Sequence, residues 1–268
     1  MDVQTINSMS YPDFVGYINQ WNVLPGAHVT LSKWATFSRM DKKSKIFQFA
    51  CTTGFQSREL AVLTGCSGKA FDLSQEAIDM AIYNLKHYAP KAKITYFQAD
   101  GTKLKLKEKF SHVIIGAGFQ FFKDPKEAIQ KTTEYIQDGG YLLASPFYIK
   151  KPIPESLVKE FRGVFGINPT TAGYKDIMSM FENLEIIYED KNDLVEETEE
   201  ELQYYCKCTI DRACKIRKIK DETVRKAMFD RLYKIKEMSN KLRPYQSYSV
   251  LVLRYRKSVY PNRFVELF

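Results

Sequence analysis

Short apolar runs alternate with segments of helical periodicity between Lys45 and Phe147. Runs with the length and composition of strands lie at 46–50, 69–73, 94–99, 111–116 and 141–147. Two further runs of this kind occur at 183–189 and 247–256. Strands that alternate with helices are typical of a parallel sheet covered by helices on both faces. The pattern therefore predicts an α/β protein with a doubly wound, mostly parallel sheet of seven strands.

Capping residues indicate where the helices of this region begin and end. Ser74 and Asp124 each precede a helical segment as an N-cap would, and Pro125 follows at the first helical position. We expect the helix that starts at Pro125 to end at the pair Gly139-Gly140, with the next strand starting at 141.

Helical patterns also flank the alternating region. Two short amphipathic helices are predicted within 10–38, and further helices at 154–165 and 173–181. The stretch between the last two predicted strands is too long for a simple connection, and its residues 221–242 have helical spacing. We predict a helical cover (1–40), a cofactor-binding core (41–150), its continuation with the sixth strand (151–192), a helical insertion or lid (193–246) and a last strand with a tail (247–268).

Composition narrows the class of protein and its compartment. The chain has 268 residues, enough for one α/β domain with additions. No apolar stretch approaches the roughly 20 residues that span a bilayer, and the N-terminus lacks the pattern of a signal peptide. Five cysteines without framework spacing predict reduced thiols and a cytoplasmic protein that does not insert into membranes.

The segment CKCTIDRAC (206–214) raises the question of a metal site. On a helix, Cys206 and Cys208 point about 200° apart, whereas Cys206 and Cys214 align with Ile210 as a buried stripe. No histidine or second cysteine pair completes four ligands. We therefore predict no metal.

The net charge of +8 is concentrated in one segment. Residues 207–243 contain thirteen lysines and arginines against five acids, so the rest of the chain is close to neutral. Two interpretations follow: a lid with its cations on the solvated face, or a platform for nucleic acid or an anionic substrate.

Four landmarks follow the predicted strands in the order that a ligand site requires. Doubly wound sheets bind ligands at the carboxyl ends of their strands. Gly54 closes the first strand–helix turn, and Asp72 ends the second strand, where a carboxylate can bind the hydroxyls of a ribose. Asp100 with Gly101 follows the third strand, where an acid can bind an adenine amino group. The small residues 116–118 follow the fourth, so that a ligand can lie against the backbone.

With these landmarks the sequence resembles the class I S-adenosylmethionine-dependent methyltransferases, in the branch of the ubiquinone/menaquinone methyltransferases. The resemblance covers about Lys45 to Phe147 and the final strands. The family's first motif is an acid followed by Gly-x-Gly-x-Gly, and this chain has Gln48, Ala50, Thr52 and Gly54 at these positions. A dehydrogenase would need Gly-x-Gly-x-x-Gly and a P-loop would need Gly-Lys-Ser/Thr, and "ACTTGFQS" supplies neither.

The resemblance implies a Rossmann-like fold and S-adenosylmethionine as the cofactor. The positions that it assigns to cofactor binding are Gln48, Ala50, Thr52, Gly54, Asp72, Leu73, Asp100, Gly101, Ala117 and Phe119. Ala50 adds one methyl group and is expected to be tolerated where the backbone dihedral angles are ordinary, and Thr52 is a larger change. Gln48 lacks the family's negative charge but still accepts hydrogen bonds.

The acceptor side of the site is less defined by the sequence. His28 is the candidate for a catalytic base, and Tyr11, Tyr17 and Phe122 are candidates for the substrate pocket. The predicted activity is methyl transfer to a small molecule, aromatic or anionic. Two alternatives stay open: an inactive binding protein that kept the fold, and a nucleic-acid methyltransferase that uses the basic segment. The sequence does not define an oligomeric state.

Overall fold

The structure is a computed structural model that describes residues 1–21 and 24–257. Residues 258–268, the tail of the predicted last segment, lie outside the described residues, as do Asn22 and Val23. The helices of the described part are α1 (Val3–Ser8), α2 (Tyr11–Tyr17), α3 (Ala27–Phe37), α4 (Phe55–Thr64), α5 (Gln75–Tyr88), α6 (Pro125–Thr133), α7 (Glu155–Phe165), α8 (Tyr174–Ser179), α9 (Glu199–Arg217) and α10 (Glu222–Leu242). The strands are β1 (Lys45–Gln48), β2 (Ser67–Asp72), β3 (Lys93–Gln98), β4 (Phe110–Gly116), β5 (Ile136–Ala144), β6 (Phe147–Ile149), β7 (Glu185–Asp193) and β8 (Gln246–Arg254).

The strands form one sheet that is parallel over most of its width. The order β3-β2-β1-β4-β5 is parallel throughout, and β8 lies antiparallel beside β5. β6 continues β5 along the same edge of β8 and in the same register, while β7 pairs with the other edge of β8. The strands β1 to β8 therefore occupy seven positions across the sheet, and the predicted fold class is confirmed.

Alternate residues of each strand belong to two cores on opposite faces of the sheet. In β1, Ile46 packs in the cluster that includes Trp34 of α3 and Leu60 of α4. The next residue, Phe47, packs in the cluster that includes Ile129 of α6. This alternation is the period of two that a pleated strand imposes, and it explains why strands buried on both faces are continuous apolar runs in the sequence.

A third apolar cluster lies outside the sheet. It joins α1 and α2 to α7, α9 and α10, and its members Phe14, Met228 and Leu232 are fully buried. The cysteine stripe predicted on α9 lies in this cluster, since Cys206 and Cys214 are both buried. The N-terminal helices and the helical hairpin α9–α10 thus share one hydrophobic core.

The predicted boundary between α6 and β5 is wrong. α6 ends at Thr133, and β5 begins at Ile136 rather than at 141. Ile136 is fully buried and pairs with Phe110. Gly139 has a φ of +75°, and the register between β4 and β5 shifts there. The glycine pair therefore forms an irregularity inside a strand instead of ending a helix, which is the other place where such a conformation is used.

Three arginines of α9 and α10 bind main-chain carbonyl oxygens of the N-terminal segment. The contacts are Arg212 to Asn19, Arg217 to Tyr17, and Arg231 to Ile6 and Met9. Each guanidinium also lies over an aromatic ring of that segment, those of Trp21, Tyr17 and Phe14 respectively, at 5.1, 3.9 and 4.3 Å from the ring centroid. The expectation that the basic residues lie on a solvated face is wrong for these three, because they hold the N-terminal helices in place.

Candidate cofactor site

The first strand ends on a buried glutamine. Gln48 is 0% exposed, and its Oε1 accepts a hydrogen bond from the Ser57 N–H at 3.0 Å. This bond satisfies one of the N–H groups at the start of α4 and fixes the orientation of the amide. Among the described residues, Nε2 of Gln48 has no hydrogen-bond partner. The strand end therefore presents an unused donor at the position where the family has an acid.

The turn after β1 keeps a glycine-like backbone although two of the three glycines are replaced. φ is +48° at both Ala50 and Thr52 and +80° at Gly54. The condition under which Ala50 is easily tolerated, ordinary dihedral angles, is therefore not met. A left-handed conformation costs a residue with a Cβ roughly 1–2 kcal/mol, and strain of this kind is concentrated at functional sites. The backbone path of a glycine-rich loop is thus retained at the expense of stability.

Gly54 is required by space as well as by conformation. A Cβ at this position would lie 2.6 Å from the hydroxyl oxygen of Tyr96. That hydroxyl donates to the Gly54 carbonyl at 3.0 Å, and the Gly54 N–H donates to the Cys51 carbonyl at 2.9 Å. Cys51 is buried behind the turn, where burial raises the pKa of its thiol. Gly54 is therefore held at its carbonyl by Tyr96 and at its N–H by Cys51.

Asp72 joins the end of β2 to this turn. Its carboxylate accepts hydrogen bonds from the Thr52 N–H at 2.8 Å and from the Ser74 N–H at 3.0 Å. Only 7% of the residue is exposed, and this burial raises the pKa of the carboxyl while the two N–H groups oppose the rise. The Ser74 hydroxyl donates at 2.6 Å to Asp13 of α2, so the N-terminal cover reaches the same strand end.

Asp100 follows the neighbouring strand in a more open setting. Asp72 pairs with Gln98 in the sheet, which places Asp100 two residues beyond that pair. The Asp100 carboxylate accepts from the hydroxyl and the N–H of Thr102 at 2.7 and 2.9 Å. These bonds lower the pKa of the Asp100 carboxyl. The two acids therefore lie at adjacent strand ends in opposite electrostatic environments.

Small residues bring the end of β4 against the first turn. A Cβ on Gly118 would lie 3.1 Å from the Cβ of Ala50, and a Cβ on Gly116 would lie 3.2 Å from the amide of Gln56. A Cβ on Gly101 would lie similarly close to the ring of Phe122, at 3.2 Å. The structure thus brings the first turn together with the end of β4, and Gly101 after β3 together with Phe122 after β4.

Several predicted site residues have other surroundings. Phe119 is 0% exposed and packs edge-on against Phe181 in the core, with ring centroids 5.6 Å apart. Tyr17 is 3% exposed and lies beneath Arg217, so it supports the cover and has almost no surface for a substrate. Leu73, next to Asp72, is 67% exposed, and Ala117 is buried.

The two remaining candidates lie on the N-terminal helices. His28 is an exposed residue in the first turn of α3, and its ring centroid is 5.1 Å from that of Phe55, the residue after Gly54. Tyr11 packs against Phe165 of α7, with ring centroids 4.9 Å apart. His28 therefore lies beside the turn 50–54, which we call the cofactor turn. Tyr11, the first residue of α2, instead lines a cleft that is described below.

Two polar residues at this edge of the sheet were not among the predicted site residues. Gln56 is 9% exposed and Ser145 is 0% exposed, and in the described residues Oε1 of Gln56 and Oγ of Ser145 have no hydrogen-bond partner. Ser145 is adjacent to Gly116, whose carbonyl accepts from the Ser145 N–H at 2.8 Å. Buried polar atoms without partners cost about 1–3 kcal/mol each, so these two atoms are candidates to bind a polar group of a ligand. A polar residue directly after an apolar strand is a sequence signal for Ser145, whereas Gln56 has none.

Comparison with known proteins gives the class of this site. Residues 47–144 match the methyltransferase domain family. The probable cobalt-precorrin-6B C(15)-methyltransferase (decarboxylating) of Saccharolobus solfataricus is 27% identical over 109 residues, which are 39% of this chain and 53% of that protein. The chain thus matches about half the length of this curated relative.

Solved structures agree with the fold. The structure of MccD protein is 25% identical, covers 88% of this chain and all of its own (100%), and has a TM-score of 0.71. A methyltransferase from Geobacter sulfurreducens in complex with S-adenosyl-L-homocysteine is 14% identical, covers 92% of this chain and 99% of its own, and has a TM-score of 0.69.

The sheet order, the matched segment and these neighbours confirm the class expected from the sequence. Residues 47–144 match a methyltransferase domain, and the fold is that of class I S-adenosylmethionine-dependent methyltransferases, whose cofactor is S-adenosylmethionine. Within the described residues, no helix is long and apolar enough to cross a membrane.

Proposed function

We propose that this protein transfers a methyl group from S-adenosylmethionine to a small-molecule acceptor. The observation that carries the proposal is the strained turn at Ala50, Thr52 and Gly54, whose Thr52 N–H is hydrogen-bonded to Asp72. A structural loop without a ligand has no need of left-handed residues that destabilise it. The residues of the turn and the neighbouring strand ends suit the parts of this cofactor.

Each part of the cofactor has candidate partners in the chain. Asp72 would bind the ribose hydroxyls and Asp100 the adenine amino group, with Leu73 as an apolar contact for the base. Gln48, Gln56 and Ser145 would complete their hydrogen bonds on the amino-acid end, which has both donor and acceptor groups. When bound, the cofactor supplies a methyl group on a sulfonium. The chain has to hold the acceptor in line with this methyl group and exclude water.

The N-terminal cover would close the site. It is attached by the arginines described above and by the pair Asn19–Asn84, whose amides exchange two buried hydrogen bonds of 2.9 and 2.8 Å. Asn84 also donates to the Thr53 carbonyl of the cofactor turn at 3.1 Å. His28, beside Phe55, is the residue we propose as the base for acceptors that lose a proton.

Two arginines of the basic segment favour a small molecule over nucleic acid as the acceptor. Arg212 and Arg217 are engaged by the cover and are not available to bind phosphates on an open surface. The branch of the ubiquinone/menaquinone methyltransferases and a cytoplasmic location remain part of the proposal. The five cysteines are all free thiols, as a reducing compartment requires.

Calorimetric titration with S-adenosylhomocysteine tests cofactor binding without knowledge of the acceptor. We expect a single site whose affinity falls about tenfold or more in Asp72→Asn, because a charged hydrogen bond contributes about 1.5–3 kcal/mol. The matched control is Asp79→Asn on the exposed side of α5, which should bind like the wild type. Absence of binding heat in the folded wild-type protein would overturn the proposal.

A further inference from the structure

A large cleft lies between the N-terminal helices and α10. It has a volume of about 900 Å³ and is bounded by the start of α1, the α1–α2 connection, the C-terminal end of α7 and one face of α10. Pockets for small molecules commonly measure about 300–1,000 Å³. The cleft is therefore large enough for an organic molecule of moderate size, and no residue of the strand ends described above lines it.

One wall of the cleft is apolar. Val164 and Phe165 end α7 and Ile167 follows it, and the ring of Tyr11 is tilted against that of Phe165 with an interplanar angle of 59°. Ile235 of α10 adds to the same wall. These side chains offer an aromatic and aliphatic surface of the kind that binds a ring or an acyl chain.

The α10 side of the cleft carries an excess of positive charge. Lys226, Arg231 and Lys234 line it, against a single acid, Asp230. Lys226 is paired with Asp230 at 2.7 Å. Arg231 uses two of its five N–H donors on carbonyl oxygens, and within the part of the chain that the structure describes it has no ion pair. Lys234 has no ion pair within the described residues. Arg231 is engaged by the N-terminal cover, as the two arginines of α9 are, so Lys234 is the cation of this set that is left for an anionic group of a ligand.

The cleft is connected to the candidate cofactor site through hydrogen bonds. Ser10 lines the cleft, and its hydroxyl donates to Asp13 at 2.7 Å. Asp13 also accepts from the hydroxyl of Ser74 at 2.6 Å, and the Ser74 N–H donates to Asp72 at 3.0 Å. A molecule in the cleft therefore lies against the same helix, α2, that covers the Asp72 end of the sheet.

We propose that this cleft is a second ligand site, separate from the cofactor site, and that its ligand is an amphipathic anion, with an aromatic or aliphatic body and a carboxylate or phosphate group. The body lies against Phe165 and Tyr11, and the anionic group lies beside Lys234. This inference goes beyond the proposed methyltransferase function and does not depend on it.

A set of naphthalene probes separates the two parts of this inference. The affinities of 1-naphthyl phosphate, 1-naphthoate and 1-naphthol are measured by their fluorescence with the full chain. We expect both anions to bind more tightly than neutral naphthol, and the better of the two identifies the preferred anionic group. Lys234→Gln should weaken the anions about fivefold, as loss of one partly screened charge contact does, and Lys234→Glu should weaken them further. Naphthol should bind alike to all variants.

The control is Lys215→Glu, which makes the same charge change at an exposed residue of α9 outside the cleft. Equal effects of Lys215→Glu and Lys234→Glu, or equal affinity for naphthol and the anions, would overturn the inference. Titration of the same samples with S-adenosylhomocysteine keeps the two proposals apart. Cofactor binding without selective anion binding refutes the cleft alone, and selective anion binding without cofactor binding refutes the methyltransferase function and leaves the anion-binding cleft.

Discussion

Replacement of the two strained residues of the cofactor turn by glycine should stabilise the protein. Ala50 and Thr52 each have a φ of +48°. The left-handed conformation costs a residue with a Cβ roughly 1–2 kcal/mol, and glycine avoids that cost. Glycine in turn loses more conformational entropy on folding, by about 0.5–1 kcal/mol. The difference predicts a net gain of about 1 kcal/mol for Ala50→Gly and for Thr52→Gly.

Urea unfolding at neutral pH measures this gain as a change in the free energy of unfolding. The Thr52 N–H that binds Asp72 is kept in Thr52→Gly, so the turn retains its hydrogen bond. Ala61→Gly is the matched control, because Ala61 lies within α4, where glycine should cost about 1 kcal/mol. The same chemical change therefore has opposite expected signs at positions 50 and 61.

The result that would refute this reasoning is a loss of stability in Ala50→Gly comparable to that in Ala61→Gly. Such a loss would mean that the methyl group of Ala50, which lies 3.1 Å from the point a Cβ on Gly118 would occupy, contributes packing that outweighs its conformational strain. Cofactor affinity measured on the same variants shows whether the strained residues also matter for binding. We expect little change, since the backbone N–H groups of the turn are retained.

Three further predictions concern the surroundings of the site. Gly54→Ala should lower the free energy of unfolding by about 2 kcal/mol or more, since the added Cβ would lie 2.6 Å from the Tyr96 hydroxyl oxygen. Urea unfolding measures this loss, and the double variant with Tyr96→Phe should recover part of it. Burial lowers the pKa of His112 to about 4. Between about pH 6.5 and 4 the unfolded chain therefore binds a proton that the folded protein does not. This proton uptake favours the unfolded state, so the free energy of unfolding decreases as the pH falls from about 6.5 towards 4. The free energy of unfolding should therefore fall by about 2–3 kcal/mol more in the wild type than in His112→Gln between about pH 7 and 4.5. Arg231→Met should loosen the N-terminal cover, seen as faster amide hydrogen exchange in α1 and α2, because its guanidinium binds two carbonyl oxygens there.

Each of these predictions has a result that would contradict it. Full stability of Gly54→Ala would show that the ring of Tyr96 moves aside at no cost. Identical pH dependence of the wild type and His112→Gln would show that the imidazole has the same pKa in the folded and the unfolded protein. Exchange in Arg231→Met that matches Lys215→Met would show that the contact does not hold the cover.

Most strands could be located along the chain because each leaves a local pattern. The apolar runs of β1, β4 and β8 are buried on both faces, and burial of both faces leaves a continuous signal in the sequence. The start of β5 could not be predicted, because Gly139-Gly140 has the same composition whether it ends a helix or forms an irregularity in a strand. Only the burial of Ile136 against Phe110 decides between the two.

The sequence located two residues of the candidate site, Gly54 and Asp72, by their spacing from apolar strands. Gly54 and Asp72 follow apolar strands at the expected spacing, and the structure connects them through the turn that ends at Gly54. The burial of Phe119 and Tyr17 depends on contacts with distant segments, those of Phe181 and Arg217 respectively, which a local pattern does not contain. The role of the arginines could not be predicted for the same reason.

The measurement that tests the proposed cofactor site most directly is a crystal structure of the protein with S-adenosylhomocysteine bound. We predict that the Asp72 carboxylate receives the ribose hydroxyls, that the adenine lies between Leu73 and the end of β4 near Asp100, and that Nε2 of Gln48 is hydrogen-bonded to the amino-acid end. A complex in which the turn at Ala50–Gly54 makes no contact with the ligand, or in which Asp72 keeps only its bonds to the Thr52 and Ser74 N–H groups, would contradict this assignment.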